Sequence, residues 1–111
     1  MKLRLVIHTE ASEDIDKYAW YLGERSLDAA DRFQDCVLET ARWLVAYPGA
    51  GHRLSLRRNE GLRVIAVRDF PNHLVIYREH SGALELVRVV HGARDLPAVL
   101  APTIESLRKR R

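Results

Sequence analysis

The hydrophobic pattern of this 111-residue chain changes its period once, at Tyr47-Pro48-Gly49. Before that point apolar residues recur every three or four positions, as in amphipathic helices, and after it they alternate, as in strands. The chain shows no internal repeat and no low-complexity linker. The sequence therefore predicts one α+β domain whose helices come first and most of whose sheet comes second.

The first half is predicted to contain one strand and two helices. Lys2 to His8 alternates and is rich in β-branched residues, which indicates a strand. A first helix is expected from a Thr9 cap to Gly23, and a second from a cap at Ser26 or Asp28 to Tyr47. Because the link between the helices is short, we expect an antiparallel helical hairpin.

The second half is predicted to be a three-stranded antiparallel sheet. A polar loop over residues 50–61 precedes the strands Leu62 to Arg68, His73 to His80 and Ala83 to His91, which turns at 69–72 and 80–83 connect. Residues 95–100 are interpreted as a short turn, and residues 103–111 as a helical extension or a frayed tail. We therefore divide the chain into one domain, residues 1–100, and a basic C-terminal extension, residues 101–111.

The tight turn at Ser81-Gly82 predicts which side chains share a face of this sheet. A two-residue turn would place Ile76 opposite Val87 and Leu74 opposite Val89. Both faces then carry apolar side chains, but the helical hairpin can cover only one of them. The second face is expected either to bind a partner or to be covered by the loop that precedes the strands.

The charges of the chain are divided along its length. Residues 1–46 carry 6 Lys or Arg against 9 Asp or Glu, residues 47–103 carry 8 against 5, and residues 104–111 carry 4 against 1. The basic residues of the middle segment are all arginines, which favour planar, bidentate contact with carboxylates or phosphates. Arg88 is set among alternating apolar residues, so we expect it to pair with a carboxylate or to face a binding groove.

Several classes of protein are disfavoured by the composition. No apolar run approaches the roughly 20 residues of a membrane span, and the start lacks a signal peptide's apolar stretch. The single cysteine, Cys36, cannot form an internal disulfide, which favours the cytoplasm, and its position predicts a buried structural thiol. The five histidines form no metal-ligand pair and the sequence contains no nucleotide-binding loop, so we expect no metal and no cofactor. Trp20 and Trp43 are predicted to pack in the core or between the helices.

One stretch near the end of the chain carries a family resemblance. Arg88-Val89-Val90-His91-Gly92-Ala93-Arg94-Asp95 resembles the ending of ParE-type plasmid-stabilisation toxins of the ParE/RelE superfamily. Gly61-Leu62-Arg63 and Val75-Ile76-Tyr77-Arg78 are similar to the middle strands of that family. The resemblance covers about residues 3–100, and the predicted order of strand, helical hairpin and three antiparallel strands agrees with it.

The resemblance implies the toxin of a type II toxin–antitoxin system. Its partner would be a ParD-like antitoxin, encoded beside it, that wraps an extended acidic segment around the hairpin and sheet to form a hetero-oligomer. ParE-like members inhibit DNA gyrase by binding it, without enzymatic chemistry. The expected partner and target contacts are Arg63, Tyr77, Arg88, His91 and Arg94.

Two alternatives stay open at this point. RelE-like members of the superfamily are ribosome-dependent, metal-independent mRNA endoribonucleases, and here Arg63, Arg88 and His91 could supply the cations and the base. Against this, many RelE-like chains place a catalytic tyrosine after the last strand, where this chain has Gly92-Ala93. A third possibility is a non-toxic, antitoxin-binding module. Arg94 also has a structural alternative, an ion pair with Asp95.

Overall fold

The computed structural model describes residues 2–109 and shows an α+β fold. The predicted strand, helical hairpin and strand-rich second half are confirmed. Arg110 and Arg111, the end of the predicted extension, lie outside the described residues. The elements are β1 (Arg4–Ile7), α1 (Thr9–Gly23), α2 (Leu27–Ala46), β2 (His52–Arg53), β3 (Arg63–Val67), β4 (Phe70–His80), β5 (Ala83–His91) and α3 (Leu96–Lys109).

The sheet is larger than the predicted one and is mixed. Its five strands lie in the order β1-β5-β4-β3-β2, with β1 parallel to β5 and the other neighbours antiparallel. The three-stranded antiparallel prediction is therefore correct for β3, β4 and β5 and wrong for the sheet as a whole. The meander leaves the backbone groups of β5 unpaired at one edge, and β1 pairs there, with Arg4 opposite Ala83. Such a long-range pairing leaves no periodic signal in the sequence.

A β-bulge between β4 and β5 changes the predicted faces of the sheet. Up to Tyr77, which lies opposite Leu86, the register follows the tight turn as predicted, but Ile76 lies opposite Arg88 rather than Val87. The inserted residue is Val87, so side chains after it exchange faces. The predicted pairs of Ile76 with Val87 and of Leu74 with Val89 are therefore wrong.

The two helices begin with different caps. The predicted cap at Thr9 is one residue late: His8 occupies the cap position and makes no side-chain cap hydrogen bond. At α2 the prediction of Ser26 is confirmed, since its Oγ accepts a hydrogen bond from the N–H of Ala29 at 3.2 Å.

The turn between β3 and β4 is shorter than the predicted turn at residues 69–72, because β4 already begins at Phe70.

Both faces of the sheet are covered by the chain itself. The hairpin face packs against α1 and α2, and the α3 face packs against α3 and the loop before β3. Leu54 and Leu62 from that loop and Leu100 and Leu107 from α3 are buried on the α3 face. The expectation that a partner covers this face is wrong, and the alternative that the loop covers it is confirmed, with α3 completing the layer. The α3 helix runs without a break across residue 100, where the sequence suggested that the domain ends.

None of the helices in residues 2–109 is long and apolar enough to cross a membrane.

Candidate functional site

Arg88 lies on β5 beyond the end of β1, where the β5 edge meets α1. Its guanidinium donates two hydrogen bonds to the carboxylate of Asp14, from Nε to Oδ2 at 2.7 Å and from Nη2 to Oδ1 at 3.1 Å. Nη1 donates to Oγ1 of Thr103 at 3.2 Å, and Asp14 Oδ2 also accepts the backbone N–H of Val89. The hydrogen bonds that Arg88 donates to Asp14 raise the pKa of the guanidinium. Of the two outcomes that the sequence allowed for Arg88, the structure shows pairing with a carboxylate.

Tyr77 and Arg63 anchor the connection between α2 and β2. The Tyr77 hydroxyl is buried; it donates to the Pro48 carbonyl at 2.8 Å and accepts from the Gly51 N–H at 2.8 Å. Burial raises the pKa of this phenol. Arg63 Nη1 donates to the Gly51 carbonyl at 2.8 Å. A Cβ on Gly51 would lie 2.7 Å from the Tyr77 oxygen, so only glycine fits there.

The three residues considered for nuclease chemistry do not converge. Arg63 lies opposite Tyr77 on the hairpin face, whereas Arg88 lies opposite Ile76 on the α3 face. His91 is on the hairpin face, where it lies opposite His73 of β4. Tyr77, the partner of Arg63, is four residues further along β4, so Arg63 and His91 are separated by about 13 Å at 3.3 Å per residue. Arg63 and Arg88 are therefore on different faces of the sheet, and His91 shares a face with Arg63 but lies far from it along the strands.

His91 and Arg94 lie at the end of β5, in a tight turn away from these arginines. The Arg94 N–H donates to the His91 carbonyl at 3.0 Å, and the Ala93 N–H donates to Nδ1 of His91 at 3.1 Å. The backbone N–H of His91 donates to the Tyr18 hydroxyl oxygen at 2.9 Å, which joins the turn to α1. The Arg94 side chain is exposed and makes no ion pair with Asp95 in the described part of the chain.

A cavity of ≈ 530 Å³ opens beside this turn, and we call it the aromatic cavity. It lies between the second half of α1 and the neighbouring ends of β4 and β5, and its wall is mostly apolar and aromatic. It is lined by Lys17, Tyr18, Trp20, Tyr21, Leu22, His73, His91 and Arg94. The cavity brings together two of the sequence-predicted contacts, His91 and Arg94, with aromatic residues that the sequence did not assign to a site.

The tryptophans are placed differently from the prediction. Trp20 is 76% exposed and Trp43 is 47% exposed, so the expectation of core packing is wrong for both. Leu27, at the start of α2, is 77% exposed, and a cavity of ≈ 300 Å³ between α1 and α2 lies beside Trp20 and Leu27. The helical stripe indicated the buried face correctly, and Trp20 lies off that stripe. Large apolar side chains exposed on one face are typical of a protein interface.

His73 forms the floor of the aromatic cavity. Its ring packs edge-on against His91, with centroids 5.1 Å apart, and also against Tyr18 and Phe33. Its Nδ1 is buried without a hydrogen-bond partner. Burial, and secondarily the neighbouring His91, lowers the pKa of His73. The uncharged ring therefore suits an apolar contact surface.

Within residues 2–109, no three His, Cys, Asp or Glu side chains are grouped so that they could hold a metal ion. Cys36 is buried, and burial, with the charges of Asp69 and Glu39, raises the pKa of its thiol. The prediction of a buried thiol is confirmed.

Comparisons with known proteins agree with this fold. A family model for the ParE toxin of the type II toxin–antitoxin system parDE matches residues 5–96. Among solved structures, the chain resembles the chromosomal ParDE TA system from P. aeruginosa with a TM-score of 0.67 and 18% identity, over 81% of this chain and 96% of that chain. The search of curated proteins finds no match. Because the family model covers most of the sequence, the chain belongs to the ParE toxin family of type II toxin–antitoxin systems.

Proposed function

We propose that this ParE-family toxin inhibits DNA gyrase by binding it through the aromatic cavity and Arg94, and so blocks replication in the cytoplasm. The observation that carries the choice of surface is the exposure of Arg94 beside Trp20 and Tyr21. Arginine and large aromatic residues contribute most of the binding energy in many protein interfaces. The gyrase target itself comes from the resemblance to ParE-type toxins.

The exposed side of the helical hairpin is the proposed antitoxin site. Trp20 and Leu27 present apolar surface there, beside the cavity between α1 and α2, and are 76% and 77% exposed. A ParD-like antitoxin, encoded in the neighbouring gene, would cover these residues with a segment that orders on binding. Because Trp20 belongs to both surfaces, antitoxin bound on the hairpin would also obstruct the aromatic cavity, which would explain neutralisation.

A supercoiling assay tests the gyrase proposal. Antitoxin-free protein is mixed with purified gyrase and relaxed plasmid, and inhibition is expected at a several-fold molar excess of toxin. Replacement of Arg94 by Ala is expected to weaken inhibition about tenfold, since central interface arginines contribute on the order of 1–2 kcal/mol or more. Arg53→Ala, which removes an exposed arginine on β2, serves as the control and should inhibit like the parent. Absence of inhibition by the parent protein would overturn the proposal.

Expression of the protein in cells distinguishes a gyrase inhibitor from a nuclease and from a non-toxic module. A ribosome-dependent nuclease would produce in-frame cuts in translated messages after induction, whereas a gyrase inhibitor would induce a DNA-damage response without such cuts. The location of Arg63 and Arg88 on opposite faces of the sheet favours inhibition by binding. Normal growth on expression would instead identify a non-toxic antitoxin-binding module.

Antitoxin binding is tested with the product of the neighbouring gene. Trp20→Ala is expected to raise the dissociation constant of the complex about tenfold or more. Ile7→Thr changes an exposed apolar residue outside the hairpin and is the matched control. Equal affinities for the two variants would show that the antitoxin binds elsewhere.

A further inference from the structure

Another cavity, of ≈ 550 Å³, lies at the opposite end of β4 from the aromatic cavity, and we call it the arginine cavity. Three segments form it: the loop before β3, the last residues of β4 and the last turn of α3. It is lined by Arg57, Arg58, Asn59, Glu60, Gly61, Arg78, His80 and Arg108. Four guanidinium groups thus face one concave space, together with one carboxylate.

Arg78 is the buried member of this set. The residue is 7% exposed, and its Nε donates to Oε1 of Glu85 at 2.8 Å. Its two terminal nitrogens have no hydrogen-bond partner within residues 2–109, although the side chain lines the cavity. Burial by itself would raise the pKa of Glu85. The hydrogen bond and the charge of Arg78 outweigh burial and lower this pKa, so the carboxylate stays ionised beside the guanidinium. Arg78 is therefore a fixed cation with free donors at the cavity wall.

Arg57 and Arg58 supply cations on the loop side. Both are exposed, and neither makes an ion pair or a side-chain hydrogen bond among the described residues. The loop that carries them is held in shape by Asn59, which donates to the Leu54 carbonyl at 3.0 Å and accepts the N–H of Gly61 at 3.0 Å. The two arginines consequently lie on a structured wall, and the charge of Arg58 contributes to the lowered pKa of Glu105 on α3.

Arg108 closes the cavity from α3. Its Nη2 donates to Oε2 of Glu105 at 2.6 Å, which orients the guanidinium along the helix. The residue lies beyond Leu96, where the match to the ParE toxin family ends. The arginine cavity is thus completed by the last turn of a helix that continues beyond the family match.

We propose that the arginine cavity binds the phosphate groups of a small phosphorylated ligand of nucleotide size. Planar guanidinium groups bind phosphate oxygens in a bidentate manner, and the cavity volume lies within the roughly 300–1,000 Å³ of small-ligand sites. Arg78 and Arg108 are held in place by Glu85 and Glu105, so a ligand meets preorganised donors. This site is separate from the proposed gyrase and antitoxin surfaces.

Isothermal titration of the purified full chain with ATP tests the proposal. Saturable binding of ATP is expected, with displacement by inorganic pyrophosphate and no binding of adenosine, which lacks phosphate. Citrate, a polycarboxylate, is expected to bind more weakly than ATP. Adenosine that binds as well as ATP, pyrophosphate that fails to displace it, or citrate that binds equally well would each overturn a phosphate site.

A pair of double variants then locates the site. R57Q/R58Q is expected to raise the dissociation constant for ATP at least about tenfold, since two charge-assisted contacts are lost. R25Q/R42Q removes the same charge from two exposed positions, in the turn between α1 and α2 and on α2, and should bind like the parent. All four residues are exposed, so circular dichroism should show both variants folded. An equal loss of affinity in the two variants would reduce binding to net charge and overturn the proposal.

Discussion

The edge of the sheet at Arg88 and the aromatic cavity at Arg94 contrast in how they use the same residue type. Arg88 is bonded to Asp14 and Thr103, and its side chain is 14% exposed. Arg94, six residues later, is exposed and has no carboxylate partner in the described part of the chain. In one stretch that resembles ParE toxins, the structure therefore uses one arginine to join α1 to the sheet and leaves the other available to a partner.

The largest expected effect is a loss of stability when the ion pair between Arg88 and Asp14 is removed. Arg88→Ala would leave the carboxylate of Asp14, itself 14% exposed, without its partner, and removal of one member of such a pair costs about 3 kcal/mol of unfolding free energy. Urea denaturation measures this loss. Arg42→Ala, an exposed arginine on α2, is the control and should change stability by less than about 0.5 kcal/mol. A stable R88A variant would show that the contact with α1 is not structural.

A smaller loss of stability is expected at Tyr77, whose hydroxyl, like the guanidinium of Arg88, finds its hydrogen-bond partners within the protein. Tyr77→Phe leaves the Pro48 carbonyl and the Gly51 N–H without their partner, at a cost of about 2 kcal/mol. The comparison is Tyr47→Phe, at a tyrosine that is 58% exposed, and it should be neutral. If both variants have the same urea midpoint, the anchoring of the α2–β2 connection by Tyr77 is refuted.

A smaller change in stability is expected when the pH is lowered, because His73 lines the aromatic cavity. Burial and the neighbouring His91 lower the pKa of His73, so below the ordinary value of 6.5 the unfolded chain takes up this proton before the folded protein does. The stability contribution is complete above pH 6.5 and decreases as the pH falls toward the folded pKa. The free energy of unfolding should therefore fall as the pH is lowered below 6.5, and less so in His73→Phe. Identical slopes in the two proteins would contradict this role of His73.

The smallest effect on stability is expected at Arg94. Arg94→Ala removes an exposed side chain and should change the free energy of unfolding by less than about 0.5 kcal/mol, while it weakens gyrase inhibition as described above. Thermal denaturation beside the supercoiling assay measures both. A loss of stability comparable to that of R88A would assign Arg94 to the fold and remove the contrast between the two regions.

The local hydrophobic pattern predicted most of the helices and strands but fewer of the contacts between them. The helical stripes and the Ser81-Gly82 turn identified α1, α2, β4 and β5, because these features depend on residues near one another in the chain. The bulge at Val87 was not predictable from alternation, since valine fits a regular or a bulged position equally well. The parallel pairing of β1 with β5 joins residues almost eighty positions apart.

The candidate site shows the same division. His91 and Arg94 were predicted from a short motif and do lie together at a cavity, but Trp20 and Tyr21 were not predicted to join them. Amphipathic spacing indicates which helix face is buried but does not say that a tryptophan off that face is left in solvent. Trp20 was predicted to pack in the core or between the helices, but it is 76% exposed.

The sequence by itself determined the α+β class, the helical hairpin, the antiparallel meander and the family resemblance, because each is written in local periodicity or in a contiguous motif. Only the tertiary structure decided that α3 and the loop before β3 cover the second sheet face, and which arginines remain available. An arginine's role depends on the carboxylates within reach of its guanidinium. For Arg88 that carboxylate is Asp14, 74 positions away in the chain.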